Sequence, residues 1–160
     1  MKSDSGSTVS AWMATADVPN FPPLAEDAEC DVCIVGAGIA GLTTAYTLAR
    51  AGKRVIVLDD GPIGGGETGR TTAHLSWALD DYYVEIEKIH GWDGARVAAE
   101  SHRSAVDRIE AICRDEQIEC DFERVDGYWF AAKLDDTKLL DAEATAARKA
   151  GAVAERGRPP

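Results

Sequence analysis

At 160 residues the chain has the length of one domain with its own core. Its composition, 45% hydrophobic and 28% charged, is that of a globular protein rather than a disordered or low-complexity one. A formal net charge of −11 argues against nucleic acid or an anionic membrane surface as a general partner, because the long-range field repels polyanions.

The first segment, residues 1–29, is rich in Ser, Pro, Asp and Glu, with Trp12 and Phe21 as isolated aromatics. It reads as an extended arm, and Pro22-Pro23 opposes any helix there. It lacks the basic-then-apolar layout of a secretion signal, and the chain holds no apolar run long enough for a membrane span, so a cytoplasmic setting is expected. Residues 31–35 (DVCIV) form a short apolar run suited to a strand buried on both faces. From Ile39 to Ala51 the period becomes helical, with Leu42, Ala45, Tyr46 and Ala49 on one face and Gly52 where a helix ends. Residues 54–58 (RVIVL) give a second buried strand.

Nine of the fifteen glycines lie between Gly36 and Gly69, which concentrates the special backbone geometry in that stretch. Beyond it, residues 80–90 read as a short helix. A longer helix spans 93–117, with Ala98, His102, Ala105, Ile109 and Ile112 along its stripe. CDFERV and YWFAA then flank Asp126-Gly127, the two-residue signature of a β-hairpin turn, and a final helix covers about 135–150. The fold class expected is α/β: a Rossmann-like βαβ unit with a helical insertion and a β-hairpin, on an incomplete sheet. The corresponding divisions are the arm (1–29), the βαβ unit with its glycine loop (30–79), a helical segment (80–118) and a hairpin plus helix (119–160).

Chemistry enters at Gly36, Gly38 and Gly41, a G-x-G-x-x-G with a strand before it, a helix after it and a second strand within one βαβ length. Gly36 permits the tight turn, Gly38 lets a pyrophosphate approach the backbone, and Gly41 lets the helix pack closely on the sheet. The opening amides and the helix dipole favour phosphate whatever the net charge. Asp59 lies 18 residues past Gly41, at the end of the second strand, where a carboxylate accepts hydrogen bonds from an adenosine ribose and repels a 2′-phosphate. The fingerprint serves FAD and NAD alike. The polar stretch that follows, with Gly64, Gly65, Gly66, Thr68, Gly69, Thr71 and Thr72, leans toward FAD, because small hydroxyls and bare amides can lie along a pyrophosphate and ribityl chain without blocking a flat ring. Cys30 and Cys33 make a C-x-x-C without a second ligand pair, and the favoured reading of all four cysteines is buried reduced thiols, not a metal site.

DVCIVGAGIAGLTTAYTLARAGKRVIVLDD followed by GPIGGGETGRTTAHL resembles the D-amino-acid-oxidase-like family of FAD-dependent oxidoreductases, most nearly its bacterial members that often carry a C-terminal Rieske domain. The resemblance extends through DGARVAAESHRSAVDRIEAI and CDFERVDGYWF. It implies FAD as cofactor, an amine or amino acid as substrate, and a hydride equivalent taken from a C–N bond. It also implies that Gly36, Gly38, Ala40 and Gly41 line the pyrophosphate, that Asp59 holds the ribose, and that Gly66, Thr68, Gly69, Arg70, Thr71 and Thr72 run beside the flavin. Some relatives attach FAD through a histidine in a similar threonine-rich loop, so His74 stands as a covalent attachment point, a non-covalent flavin contact or a core histidine. Members of the family run to several hundred residues. The chain is therefore expected to supply the N-terminal FAD-binding portion, with residues 119–160 opening the substrate domain, and no catalytic residue is named. A nicotinamide-dependent dehydrogenase fragment and a non-catalytic remnant are the competing readings.

Overall fold

The computed structural model describes residues 8–130 and 137–157. Two compact units share the chain, one running to His74 and the other starting at Leu75.

The N-terminal unit is the βαβ element. Strand β1 (Val32–Val35) and strand β2 (Val55–Leu58) pair in parallel, Val32 opposite Val55 and Val35 opposite Leu58. Among its described residues this unit has two helices, α1 (Ala11–Thr15) and α2 (Ile39–Arg50), followed by a 3₁₀ turn (Glu67–Arg70). Helix α2 joins the strands and ends as expected: its last carbonyls are closed by the Ala51 and Gly52 amides, and Gly52 takes φ +78°. Asp31 fastens the start of β1 to β2 by accepting from the Arg54 amide at 2.8 Å.

Two expectations for this unit change. The strands are not buried on both faces: β1 alternates half-buried and exposed residues and Val35 is 86% exposed, because a two-stranded sheet with one helix has too few layers to cover both sides. For the same reason Cys33 is exposed and Cys30 half-buried, so the expected burial of those thiols fails. The arm is not wholly extended either. Ser10 caps α1, its hydroxyl accepting from the Met13 amide at 3.2 Å.

The C-terminal unit is a helical pair. Helix α3 (Tyr83–Asp115) breaks at Gly91, where φ 71° and ψ 177° leave the helical region, so the short and long helices read from the sequence meet end to end. Helix α4 (Thr137–Lys149) packs against it, and the shared core comprises Tyr83, Ala95, Ala99, Ala146, Ala147, Ala150 and Ala152. The buried stripe of α3 therefore runs through Ala95, Ala99 and Val106, while His102 and Ala105 face solvent. Small alanines at these positions allow two helices to approach closely, and that partner helix, not hydrophobicity alone, selects the stripe.

The helix pair is locked by one carboxylate. Glu143 of α4, buried, accepts from the amides of Tyr83 at 2.7 Å and Val84 at 2.9 Å, which are opening donors of α3. Tyr82 just before them sits at φ 58° and stacks on Trp129, centroids 4.7 Å apart. Tyr83 donates its hydroxyl to the Trp77 carbonyl at 2.6 Å, and burial, with Glu143 nearby, pushes its phenol above the ordinary value.

No strand forms between Cys120 and Phe130, where the hairpin was expected; Ala131 and Ala132 of its second arm lie outside the described residues. Instead the segment is clipped to α3. Arg124 bridges Asp107 at 2.7 Å and Glu110 at 2.6 Å, and these carboxylates raise its pKa. A lone hairpin is marginal without a third strand or a covering layer, and neither covers this segment in the described structure.

Glu143→Ala leaves the buried Tyr83 amide and the half-buried Val84 amide without an acceptor and is expected to destabilise the C-terminal unit by about 2–3 kcal/mol. A thermal melt followed by circular dichroism at the helix band checks it, with Glu143→Gln falling between the two.

Candidate functional site

The site is assembled where β1 hands over to α2. Gly36 takes φ +105°, a conformation that side chains disfavour, and turns the chain sharply out of the strand. Its amide remains in the ladder, donating to the Leu58 carbonyl at 2.7 Å. Gly41, one turn into α2, sits against that bend so closely that a Cβ would lie 1.9 Å from the Gly36 carbonyl oxygen. No side chain fits there, which is the physical content of the third glycine of the motif. At Gly38 the neighbour is different: a Cβ would come within 3.1 Å of the Thr68 hydroxyl. The second glycine therefore keeps open a narrow space between the helix entrance and the threonine loop.

The acid is delivered to the same place. Asp59, immediately after β2, accepts from the Ala37 amide through Oδ2 at 2.6 Å and from the Gly61 amide through Oδ1 at 2.8 Å. The Ala37 hydrogen bond, then the Gly61 one, holds the Asp59 carboxyl below its ordinary pKa. The expected juxtaposition of helix entrance and strand-tip acid is thus present in the fold.

The glycine-threonine loop folds over this entrance. The Gly64 amide donates to the Ala37 carbonyl at 2.9 Å, and Gly69 donates back to Gly64 at 3.0 Å, closing the loop on itself. Thr68, in the 3₁₀ turn, accepts from the Ile39 amide at 3.0 Å and so serves the N-terminus of α2, whose own cap residue is a glycine with no side chain to offer. Gly36, Gly38, Asp59 and Thr68 are therefore brought together around the opening of α2, where Ala40 and Gly41 complete the first turn.

The remaining candidates lie further along the loop. Gly66 precedes the 3₁₀ turn, Gly69 and Arg70 end it, and Thr71 begins the next extended residues. The Thr72 hydroxyl lies 3.0 Å from Nδ1 of His74, an exposed side chain.

The sequence reading missed two contributors. Ser10 donates to the Gly69 carbonyl and Trp12 donates its indole N–H to the Thr71 carbonyl at 2.9 Å, so the arm touches the loop. A serine directly before a short apolar run was the available signal, since hydroxyls at that position cap helices.

What this arrangement can hold follows from its chemistry. A glycine-lined bend, a helix entrance presenting amides, and a carboxylate at the adjacent strand tip match the phosphate and ribose of a dinucleotide. Among the described residues no group of three His, Cys, Asp or Glu side chains comes together as a metal site would require, and no helix is long and apolar enough to cross a membrane.

Comparison with known proteins gives the same direction. Residues 31–158 match the family model described as FAD dependent oxidoreductase. The chain is similar to the putative Rieske 2Fe-2S iron-sulfur protein YhfW of Bacillus subtilis, 36% identical over 88% of this chain and 28% of that protein. It is also similar to gamma-glutamylputrescine oxidoreductase of Escherichia coli, 36% identical over 77% of this chain and 28% of that enzyme. The probable oxidoreductase OrdL of Haemophilus influenzae is 32% identical over 77% of this chain and 29% of its own length. The chain thus spans under a third of the length of these relatives. No solved structure gives a significant match.

Gly41→Ala forces a methyl into the Gly36 carbonyl and is expected to cost about 1–3 kcal/mol, as overpacking a tight contact does. Chemical denaturation followed by Trp fluorescence checks it.

Proposed function

Because this chain belongs to the FAD-dependent oxidoreductase family, we propose that its βαβ unit binds the adenine half of FAD and that the chain is the N-terminal cofactor-binding portion of an amine- or amino-acid-oxidising enzyme. The observation that carries the reading is the 2.6 Å hydrogen bond from Ala37 to Asp59, which holds a carboxylate at the entrance of α2. The 1.9 Å clearance at Gly41 supports it, since such a close approach serves a cradle rather than a generic turn.

In this reading the amides of Gly38, Ala40 and Gly41, with Gly36 shaping the bend, take the pyrophosphate at the positive end of the helix dipole. Asp59 accepts from ribose hydroxyls while keeping its backbone donors. Thr68 and its neighbours Gly66, Gly69, Thr71 and Thr72 border the ribityl chain, and Arg70 lends positive charge close to the phosphates. His74 contacts the flavin without bonding to it covalently. When bound, FAD accepts a hydride equivalent from a substrate C–N bond. The chain's own residues bind and orient; none is assigned a catalytic step. An amine substrate is consistent with the gamma-glutamylputrescine oxidoreductase likeness.

The 160-residue chain purified with excess FAD is expected to retain visible flavin absorption after gel filtration; a colourless protein that does not quench added FAD overturns the proposal. Asp59→Ala should weaken FAD binding by about ten- to a hundredfold, the loss of one or two charge-assisted hydrogen bonds. The backbone hydrogen bonds to Asp59 lower its folded-state pKa, so the carboxylate that would accept from the ribose stays ionised through the ordinary carboxylate range. Affinity measured by flavin fluorescence should accordingly hold steady down to that range and decline only below it. Acid precipitation should release all flavin into the supernatant, and fluorescence remaining on the denatured polypeptide would show that His74 or another residue is covalently attached.

A further inference from the structure

The N-terminal arm makes four contacts with the cofactor loop, each spanning about sixty residues of sequence. Ser10 donates to the Gly69 carbonyl, Trp12 donates its indole N–H to the Thr71 carbonyl at 2.9 Å, and Arg70 donates to the Thr8 carbonyl at 2.6 Å. The fourth is apolar: a Cβ on Gly69 would lie 3.2 Å from Cγ of Met13 and 2.7 Å from the Gly64 carbonyl oxygen, so Met13 fills the space this glycine leaves. Helix α1 has five residues, too few to be stable alone in water. Its order therefore comes from the loop it grips, and the loop's order comes in part from α1.

We propose that the N-terminal arm, through Ser10, Trp12 and Met13, is a positioning element for the cofactor loop, holding residues 67–71 in the geometry that presents Thr68 to the entrance of α2. The contacts run from the arm into Gly69 and Thr71, which flank Thr68 on its C-terminal side. Thr68 in turn meets the Ile39 amide, and Gly64, on the loop's other side, meets the Ala37 carbonyl. The arm and α2 thus hold the 3₁₀ turn from two sides. A glycine-rich loop loses much conformational freedom on ordering, and a scaffold that orders it beforehand removes that cost from ligand binding. Both hydrogen bonds from the arm end on carbonyl oxygens, which act as acceptors only. They therefore fix the loop's backbone without themselves occupying a hydroxyl or an amide of the loop. In its consequence for FAD this inference rests on the cofactor reading above; in its consequence for the loop it does not.

The test uses the full chain with Ser10→Ala and Trp12→Phe, separately and together, and Ser10→Thr as the conservative variant. Trp12→Phe keeps an aromatic ring and deletes only the indole donor. Hydrogen exchange without ligand is expected to quicken at the amides of residues 67–72 and to stay unchanged in β1 and β2. The FAD dissociation constant is expected to rise about five- to tenfold in the double variant, the size of one net hydrogen bond's worth of ordering. Ser10→Thr is expected to restore both. Unchanged exchange in the loop overturns the proposal, as does a loosened loop with unchanged FAD affinity. If the unaltered chain binds no FAD, the cofactor reading falls, and loop exchange alone then decides whether the arm positions the loop.

Discussion

The approach of α2 to the end of β1 governs the N-terminal unit. With 1.9 Å between a notional Gly41 methyl and the Gly36 oxygen, helix and strand meet backbone to backbone. That contact sets where the opening amides of α2 lie and therefore where Asp59 can reach. It also lets a two-stranded sheet, too small to bury its own faces, hold a defined helix entrance. Stability here is local and geometric. Among the described hydrophobic residues of this unit only Ala37 is fully buried, and it is the residue whose amide meets Asp59.

The C-terminal unit is organised differently. Its core is alanine with one large side chain, Tyr83, and its order depends on a buried carboxylate that satisfies the start of another helix. Burying a carboxylate is costly unless hydrogen bonds compensate, and two amides at a helix N-terminus, where the dipole is positive, are suitable partners. Just before these amides, Tyr82 takes a positive φ and stacks on Trp129.

Much of this was legible in the residues. The apolar runs, the period change at Ile39 and the glycine spacing located β1, α2 and β2 to within a residue or two. Those signals are local, and the physics behind them is short-ranged: backbone conformation, helix capping and strand propensity. The hairpin at Asp126-Gly127 misled for the opposite reason. Its turn signal is equally local, but a strand needs a neighbouring sheet, and Arg124 found Asp107 and Glu110 on α3 instead. The stripe of α3 shifted to Ala95 and Ala99 where α4 packs, because a partner helix chooses which face it covers.

From its residues alone, the chain is committed to a glycine bend, a phosphate-ready helix entrance and an acid at the next strand tip, since each of these depends on a few neighbouring side chains. Only the tertiary structure decided that the arm reaches the glycine-threonine loop through Ser10 and Trp12, and that Glu143 caps a helix sixty residues before it. Contacts between residues so distant along the chain leave no periodic trace, because a hydroxyl, an indole or a carboxylate looks the same in sequence whether it meets water or a backbone amide.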